Sequence, residues 1–425
     1  MRMPKNAANA EQAVRIAADK SIEASLQNTF AVGGVLIDNR RGTVWCALHN
    51  NVLEPYEKSK LFLLHDPTAH GERQIVDWYF KNRKRLRLPE PREMTVVTTL
   101  DPCAMCAGAL LTAGFNVGVS GSDDFAGINY NSSFDFPSVP AKWRRVAQSS
   151  FSYYGVDAPV KRAFQGGKNA AFPRQSVSAF TYFLTETIFE SSVNSIRAAD
   201  NNSGRDPANL TNPKNLPRNS KIKKALLEAC PEAFTVTCPE PRLPGKEIGK
   251  VLLSAAKRAH HRGAAFNSVA FLDPFGNLLL CLGGAEERSP IRTAFMEVTR
   301  AYAHIRWVLM NDPDKSVQEQ ADNVLTHPKY GTFVFLYSPD PNTPQGLMAL
   351  GAYGSTMEGP IPESFPSNLQ YVLLPGNASS AELSEMAMRL PPFYTTSVQV
   401  APAQVLDDGL VQEIRSALPE YVRPG

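Results

Sequence analysis

The sequence predicts an α/β fold in two tandem copies, and three observations carry that expectation. A buried-type strand at Met94–Leu100, a helix opening after Pro102 and a strand at Val117–Ser120 follow one another without room for a hairpin. That order implies a parallel pair with a helical crossover. Ahead of it, Phe30–Asp38 and Thr43–Leu48 are β-rich runs around the turn-forming Asn39-Arg40-Arg41-Gly42, a hairpin. After an Asn-, Pro- and Gly-rich stretch at 201–219 the same succession of features returns.

At 425 residues the chain is long for one core, so two or three domains are expected. The organisation read from it is a first domain at 1–150, a helical segment and linker at 151–219, and a second domain at 220–425. Charged residues make up 20% and apolar residues 43%, ordinary values for a globular protein, and 44 basic against 41 acidic side chains select no polyanionic partner. Six scattered cysteines are too few to staple such a chain, which fits a reducing compartment. The first ten residues lack an apolar signal core and no stretch reaches the roughly 18 apolar residues of a membrane span. A cytoplasmic protein without a membrane partner is expected.

Residues 11–26 place Ala13, Val14, Ile16, Ala17 and Ile22 at helical spacing. Cys46, alone among apolar neighbours, reads as a small core residue. Thr68 is placed to cap a helix from about Ala69 through Phe80, so His70 and Glu72 share a first turn. Residues 81–92 carry Arg83, Lys84, Arg85 and Arg87 in a basic run, read either as a solvated helix end or as a phosphate-contacting patch. Pro102 suits a helix start and puts Cys103 and Cys106 one turn apart. Residues 125–175 show no clear period and read as loop; 176–199 read as an amphipathic helix.

In the second copy, 246–259 read as a helix, and Phe266–Asp273 matches Phe30–Asp38. Cys281 follows Asp273 by the same interval that separates Cys46 from Asp38. The strand Thr332–Ser338 runs into Asp340-Pro341 as Met94–Thr99 runs into Asp101-Pro102. By this alignment Ser289, Ile291, Asn342 and Gln345 stand for His70, Glu72, Cys103 and Cys106, so the second copy holds no metal and does no chemistry.

One imidazole and two thiolates supply three ligands for a tetrahedral zinc and leave a fourth position open, the ligand count of a catalytic rather than a structural site. Such a metal supplies Lewis acidity that makes water nucleophilic at neutral pH. Glu72, one position from His70, is free to move that water's proton. A bare C-x-x-C is weak; its conjunction with a preceding Pro, a preceding strand and an upstream His-x-Glu is specific.

Residues 30–124 resemble the cytidine deaminase-like superfamily, within it the branch of tRNA adenosine deaminases and guanine deaminases. The resemblance rests on Asp66-Pro67-Thr68-Ala69-His70-Gly71-Glu72 and on Pro102-Cys103-Ala104-Met105-Cys106-Ala107-Gly108-Ala109. It implies a three-layer α/β/α fold with a mixed five-stranded sheet, one Zn²⁺ per chain held by His70, Cys103 and Cys106, and hydrolytic loss of ammonia from a nucleobase with Glu72 as catalytic acid and base. It further implies base contacts from Asn50 or Asn51 and from Ala69 and Pro102. Gly71 stands where members usually have Ala, as in fungal cytosine deaminases. The pairing of working and degenerate subunits in this branch implies an intrachain pseudo-dimer or a homodimer.

Three functions compete. The first is deamination of adenosine to inosine in tRNA or other RNA, with Arg83, Lys84, Arg85 and Arg87 holding phosphates. The second is deamination of a free base, nucleoside or nucleotide such as guanine or cytosine. The third, a non-enzymatic zinc-stabilised scaffold, leaves Glu72 without a role.

Overall fold

The computed structural model describes residues 5–56, 61–157, 161–198, 204–357, 368–372, 374, 378–397, 400 and 402–418. Parts of the expected linker (201–203) and both chain ends therefore lie outside the described residues.

Two mixed sheets organise the chain. The first has the order Val44–His49, Gly33–Asp38, Met94–Thr98, Asn116–Val119, Phe151–Tyr153, Gln165–Gly166. The second runs Leu278–Gly283, Ser268–Leu272, Thr332–Phe335, Leu369–Val372, Ala403–Val405. In both, the first three strands pair antiparallel and the next two join in parallel. Each hairpin also carries its irregularity at the same place, between Leu36 and Ile37 in one and between Phe271 and Leu272 in the other. Two copies of one architecture account for that shared order, direction and bulge. The first sheet differs from the expected five strands by an antiparallel edge strand of two residues.

Alternation along the buried strand Gly33–Asp38 builds the layers. Val35 and Ile37 face the helix Ala10–Leu26 in one cluster with Ala13, Val14 and Ala17. Leu36 faces the other way, into a cluster with Ile75, Val76, Met105 and Cys106 from the helices Gly71–Leu86 and Ala104–Ala113. The result is helix, sheet, helix. Cys46 belongs to the same core, and burial pushes its thiol up, as a core residue requires.

The helix Ala104–Ala113 has no polar face, and every residue in it but Thr112 is buried. Such a helix needs cover on all sides. The sheet covers one, and the helix Pro344–Thr356 of the second copy covers the other, making a single core continuous from Leu36 to Val405. The contact is backbone on backbone: a Cβ on Gly108 would lie 2.5 Å from the Met348 amide nitrogen, and one on Gly351 2.3 Å from that of Met105.

Several expectations are corrected. The segment 125–175 is not all loop: it holds the short helix Arg144–Ser150 and Phe151–Tyr153, the fifth strand of the sheet, too short to show a period. An unexpected hairpin, Leu53–Tyr56 with Leu61–Leu64, precedes the His70 helix. Thr68 does not cap that helix; its amide and hydroxyl both bind Asp66 Oδ1, at 2.8 and 2.6 Å, and the cap is His70. The described part of the linker is packed rather than loose, with Arg205 paired to Asp322 at 2.6 Å and the Thr211 amide bound to the Asn323 carbonyl.

The equivalences in the second copy also shift. Its helices Ala294–Met310 and Pro344–Thr356 begin at the caps Thr293 and Thr343, where the first copy has His70 and Cys103. Counting from the caps, Phe295 and Gly346 stand for Glu72 and Cys106, in place of the Ser289, Ile291, Asn342 and Gln345 of the sequence alignment. The connections differ in length, so a constant offset does not survive them. Among the described residues, the one cluster of metal-ligating groups remains His70, Cys103 and Cys106.

Candidate active site

Two helix beginnings meet at the carboxyl ends of neighbouring strands and bring the motif residues together. His70 caps the helix Gly71–Leu86 without a side-chain bond to it, and Cys103 caps Ala104–Ala113. Cys103 Sγ lies 3.5 Å from His70 Nδ1, and the ligand atoms of His70, Cys103 and Cys106 all fall within 4.8 Å of one another. One nitrogen and two sulfurs at that spacing, at the positive ends of two helices, form a donor set that fits zinc. The Cys106 thiol donates to Cys103; with His70 beside it, this holds the Cys103 thiol well below its usual range despite burial.

Glu72 sits beside this triad and outside it. It is 3% exposed, accepts from the Thr98 hydroxyl at 3.1 Å, and has Oε2 3.4 Å from Cys106 Sγ. Burial, with the negative Cys103 sulfur adding to it, raises its carboxyl above the usual range. A carboxylate so placed accepts and returns a proton near neutrality.

The loop delivering His70 is held from below. Arg73, fully buried, binds the Thr68 carbonyl and pairs with Asp77 at 2.9 Å. Asp66 binds Thr68 and receives Arg300 of the second copy at 3.0 Å. Burial alone would raise the Asp66 carboxyl; Arg73, Arg300 and the Thr68 hydrogen bonds outweigh it and hold it below its usual range.

Above His70, Glu72 and Cys103 opens a cavity of about 370 Å³, the size that a single small ring system fills. Its walls come from three parts of the chain. Phe30, Val32, Asn50 and Val52 belong to the first sheet and its loops; Phe189, Glu190, Val193 and Asn194 to the helix Ala179–Ala198; Ser355, Phe393 and Tyr394 to the second copy. Phe125 and Phe393 meet edge to face at 5.7 Å, and the Phe393 amide binds the Phe125 carbonyl at 2.8 Å.

Residues 7–121 match the family described as the cytidine and deoxycytidylate deaminase zinc-binding region. This stretch is a cytidine deaminase-like zinc-binding region. The tRNA-specific adenosine deaminase of Haemophilus influenzae is 29% identical over 126 residues, which cover 30% of this chain and 65% of that protein, under two thirds of its length. A structure from a study of A-to-I editing by tRNA:A34 deaminases at the wobble position of transfer RNA aligns at 23% identity and a TM-score of 0.22, over 28% of this chain and 80% of that one. A guanine deaminase from Nitrosomonas europaea aligns at 12% identity and a TM-score of 0.29, over 45% of this chain and 88% of that one.

Within the deaminase region the expected substrate contacts separate. Asn50 lines the cavity, and its Oδ1 accepts the Gly71 amide at 2.7 Å, which turns the other end of the amide towards the opening. Asn51 points away, to Gln27 and Glu54, and lines a different depression. Ala69 and Pro102 do not line the cavity; their carbonyls are taken by the amides of Asn51 and Ile128, so both frame the loops instead. Arg83, Lys84, Arg85 and Arg87 lie at the far end of the His70 helix, about 18–24 Å along its axis at 1.5 Å per residue. There Arg83 covers Phe80 and Arg85 binds Asn82, and none of the four reaches the cavity.

The sequence reading missed the aromatic walls. Phe189 and Phe393 come from segments with no motif of their own, and only the fold brings them to the zinc-binding region.

Proposed function

We propose that the protein is a zinc-dependent hydrolytic deaminase of a nucleobase, with His70, Cys103 and Cys106 as the metal ligands and Glu72 as the proton carrier. The observation that carries this reading is the convergence of the three ligand atoms within 4.8 Å at the floor of a cavity into which the buried Glu72 also projects. Zinc, when bound, supplies the Lewis acidity that makes water nucleophilic. Glu72 takes the proton of the attacking water and passes it to the ring nitrogen and then to the departing amine. A carbon–oxygen bond forms, the carbon–nitrogen bond breaks, and ammonia leaves. Asn50 holds the base edge, and Phe125 and Phe393 flank the ring.

Two substrate classes are supported by different observations. The tRNA-specific relative favours adenosine in tRNA or other RNA, which would act in the cytoplasm with the base flipped into the cavity. The lining favours a free base or nucleoside such as guanine or cytosine: Asp101, Asp123 and Glu190 face the opening, and the described lining residues include no Lys or Arg to meet a phosphate. Residues 220–425 serve in either case as a non-catalytic partner fused to a catalytic part at 1–150 through 151–219. The shared strand order supports this, as does the position of Ser355, Phe393 and Tyr394 in the cavity wall.

The test is ammonia release from a panel of free bases, nucleosides, single-stranded DNA and total tRNA, with product masses naming the base. An RNA substrate loses affinity steeply as salt rises and a neutral small molecule hardly at all. Zinc-loaded protein that deaminates nothing in the panel contradicts the proposal.

A further inference from the structure

Tyr394 belongs to the second copy, in the single wide turn Phe393–Ser397, yet it is 1% exposed and lies at the metal centre of the first. Its hydroxyl is hydrogen-bonded to the Cys103 thiol on one side and the Ser355 hydroxyl on the other. The sense of the chain is Ser355 to Tyr394 to Cys103, each hydroxyl donating onward.

The seat of this ring is built into the fold. A Cβ on Gly354 would fall 2.3 and 2.6 Å from the Cδ1 and Cε1 atoms of Tyr394, so the ring crosses the helix Pro344–Thr356 where no side chain stands. One turn earlier, Gly351 fixes that helix against the backbone of Ala104 and Met105, the residues after Cys103. The Tyr394 amide binds the Pro391 carbonyl and its own carbonyl accepts the Val400 amide, at 2.9 and 3.0 Å. Ring, helix and thiol are therefore in fixed register, set by close backbone approaches rather than by flexible side chains.

A thiolate ligand that accepts an O–H bond is oriented by it and donates less charge to its metal; such partners govern affinity nearly as strongly as the ligands do. We propose that Tyr394 is a positioning residue for the zinc centre. It holds Cys103 in its ligating orientation, so a copy with no ligand of its own controls how tightly the other copy holds metal. The proposal rests on the reading of His70, Cys103 and Cys106 as ligands.

Tyr394→Phe keeps the ring in its seat and removes only the O–H; Gly354→Ala keeps the O–H and displaces the ring. Zinc affinity is measured on the full chain by competition with a chelator, and the sulfur-to-cobalt absorption band is recorded after cobalt(II) replaces zinc. Both variants should hold zinc about 10–100-fold more weakly and shift the band, and Tyr394→Phe should leave thermal unfolding of the metal-free protein unchanged. Parental affinity and an unshifted band in Tyr394→Phe overturn the proposal while leaving the ligand reading intact. A parent chain that takes up no zinc overturns both.

Discussion

Asn50 shows how one buried side chain serves both the fold and the site. Its Oδ1 satisfies the first amide of the His70 helix, and at 1% exposure no water replaces that acceptor. Asn50→Ala should cost about 1–3 kcal/mol of stability through the orphaned amide, read from denaturant midpoints. It should also raise KM about tenfold, roughly 1.4 kcal/mol. Asn51→Ala should leave KM unchanged, because its partners Gln27 and Glu54 lie outside the cavity; equal effects from the two variants would contradict the assignment. At this scale the sequence was informative wherever the chemistry is local. His70, Glu72, Cys103 and Cys106 lie in two short motifs whose spacing is itself the signal. The choice between Asn50 and Asn51 was not legible, because neighbours in a loop differ only in which way the backbone turns them.

The helix carrying the cysteines is the element on which the molecule depends most. Apolar on every face, it is clamped between the first sheet and the helix Pro344–Thr356, and Gly108 and Gly351 allow that approach. Gly108→Val should force the helices apart and cost about 1–3 kcal/mol, with metal uptake weakened as Tyr394 draws back from Cys103. A Val variant as stable as the parent in chemical denaturation would show that the contact is looser than described. Strands and helices with a clear period were legible in both copies. Phe151–Tyr153 was not, since three residues show no alternation, and the true equivalents of His70 and Cys103 in the second copy were hidden by connections of unequal length.

At the scale of the whole molecule the two copies are joined by a core and by charge. Arg300 of the second copy binds Asp66 at 3.0 Å and approaches Asp77 at 3.4 Å, while Arg73 pairs with the same two carboxylates from beneath. Because the Asp66 carboxyl is held below its unfolded value of about 3.9, its contribution to stability is complete above that value and is lost as pH falls through the folded one. Asp66→Asn should be less stable than the parent at neutral pH and should lose part of the acid dependence below about pH 4. Parallel stability curves for parent and variant would sink this account. That the second copy reaches into the cavity through Ser355, Phe393 and Tyr394 was not legible from the motifs, because those residues stand some 250–320 positions from His70 and Cys103 and only tertiary packing brings them near.

The central claim is that a zinc centre and a buried, uncoordinated carboxylate act together on a base. It is tested most directly by measuring bound zinc and ammonia release side by side in the parent and in Glu72→Gln. The account predicts one zinc per chain in both, with turnover present in the parent and reduced by about 10²–10⁴-fold or more in the variant. A Glu72→Gln protein that binds zinc and releases ammonia as fast as the parent would contradict it.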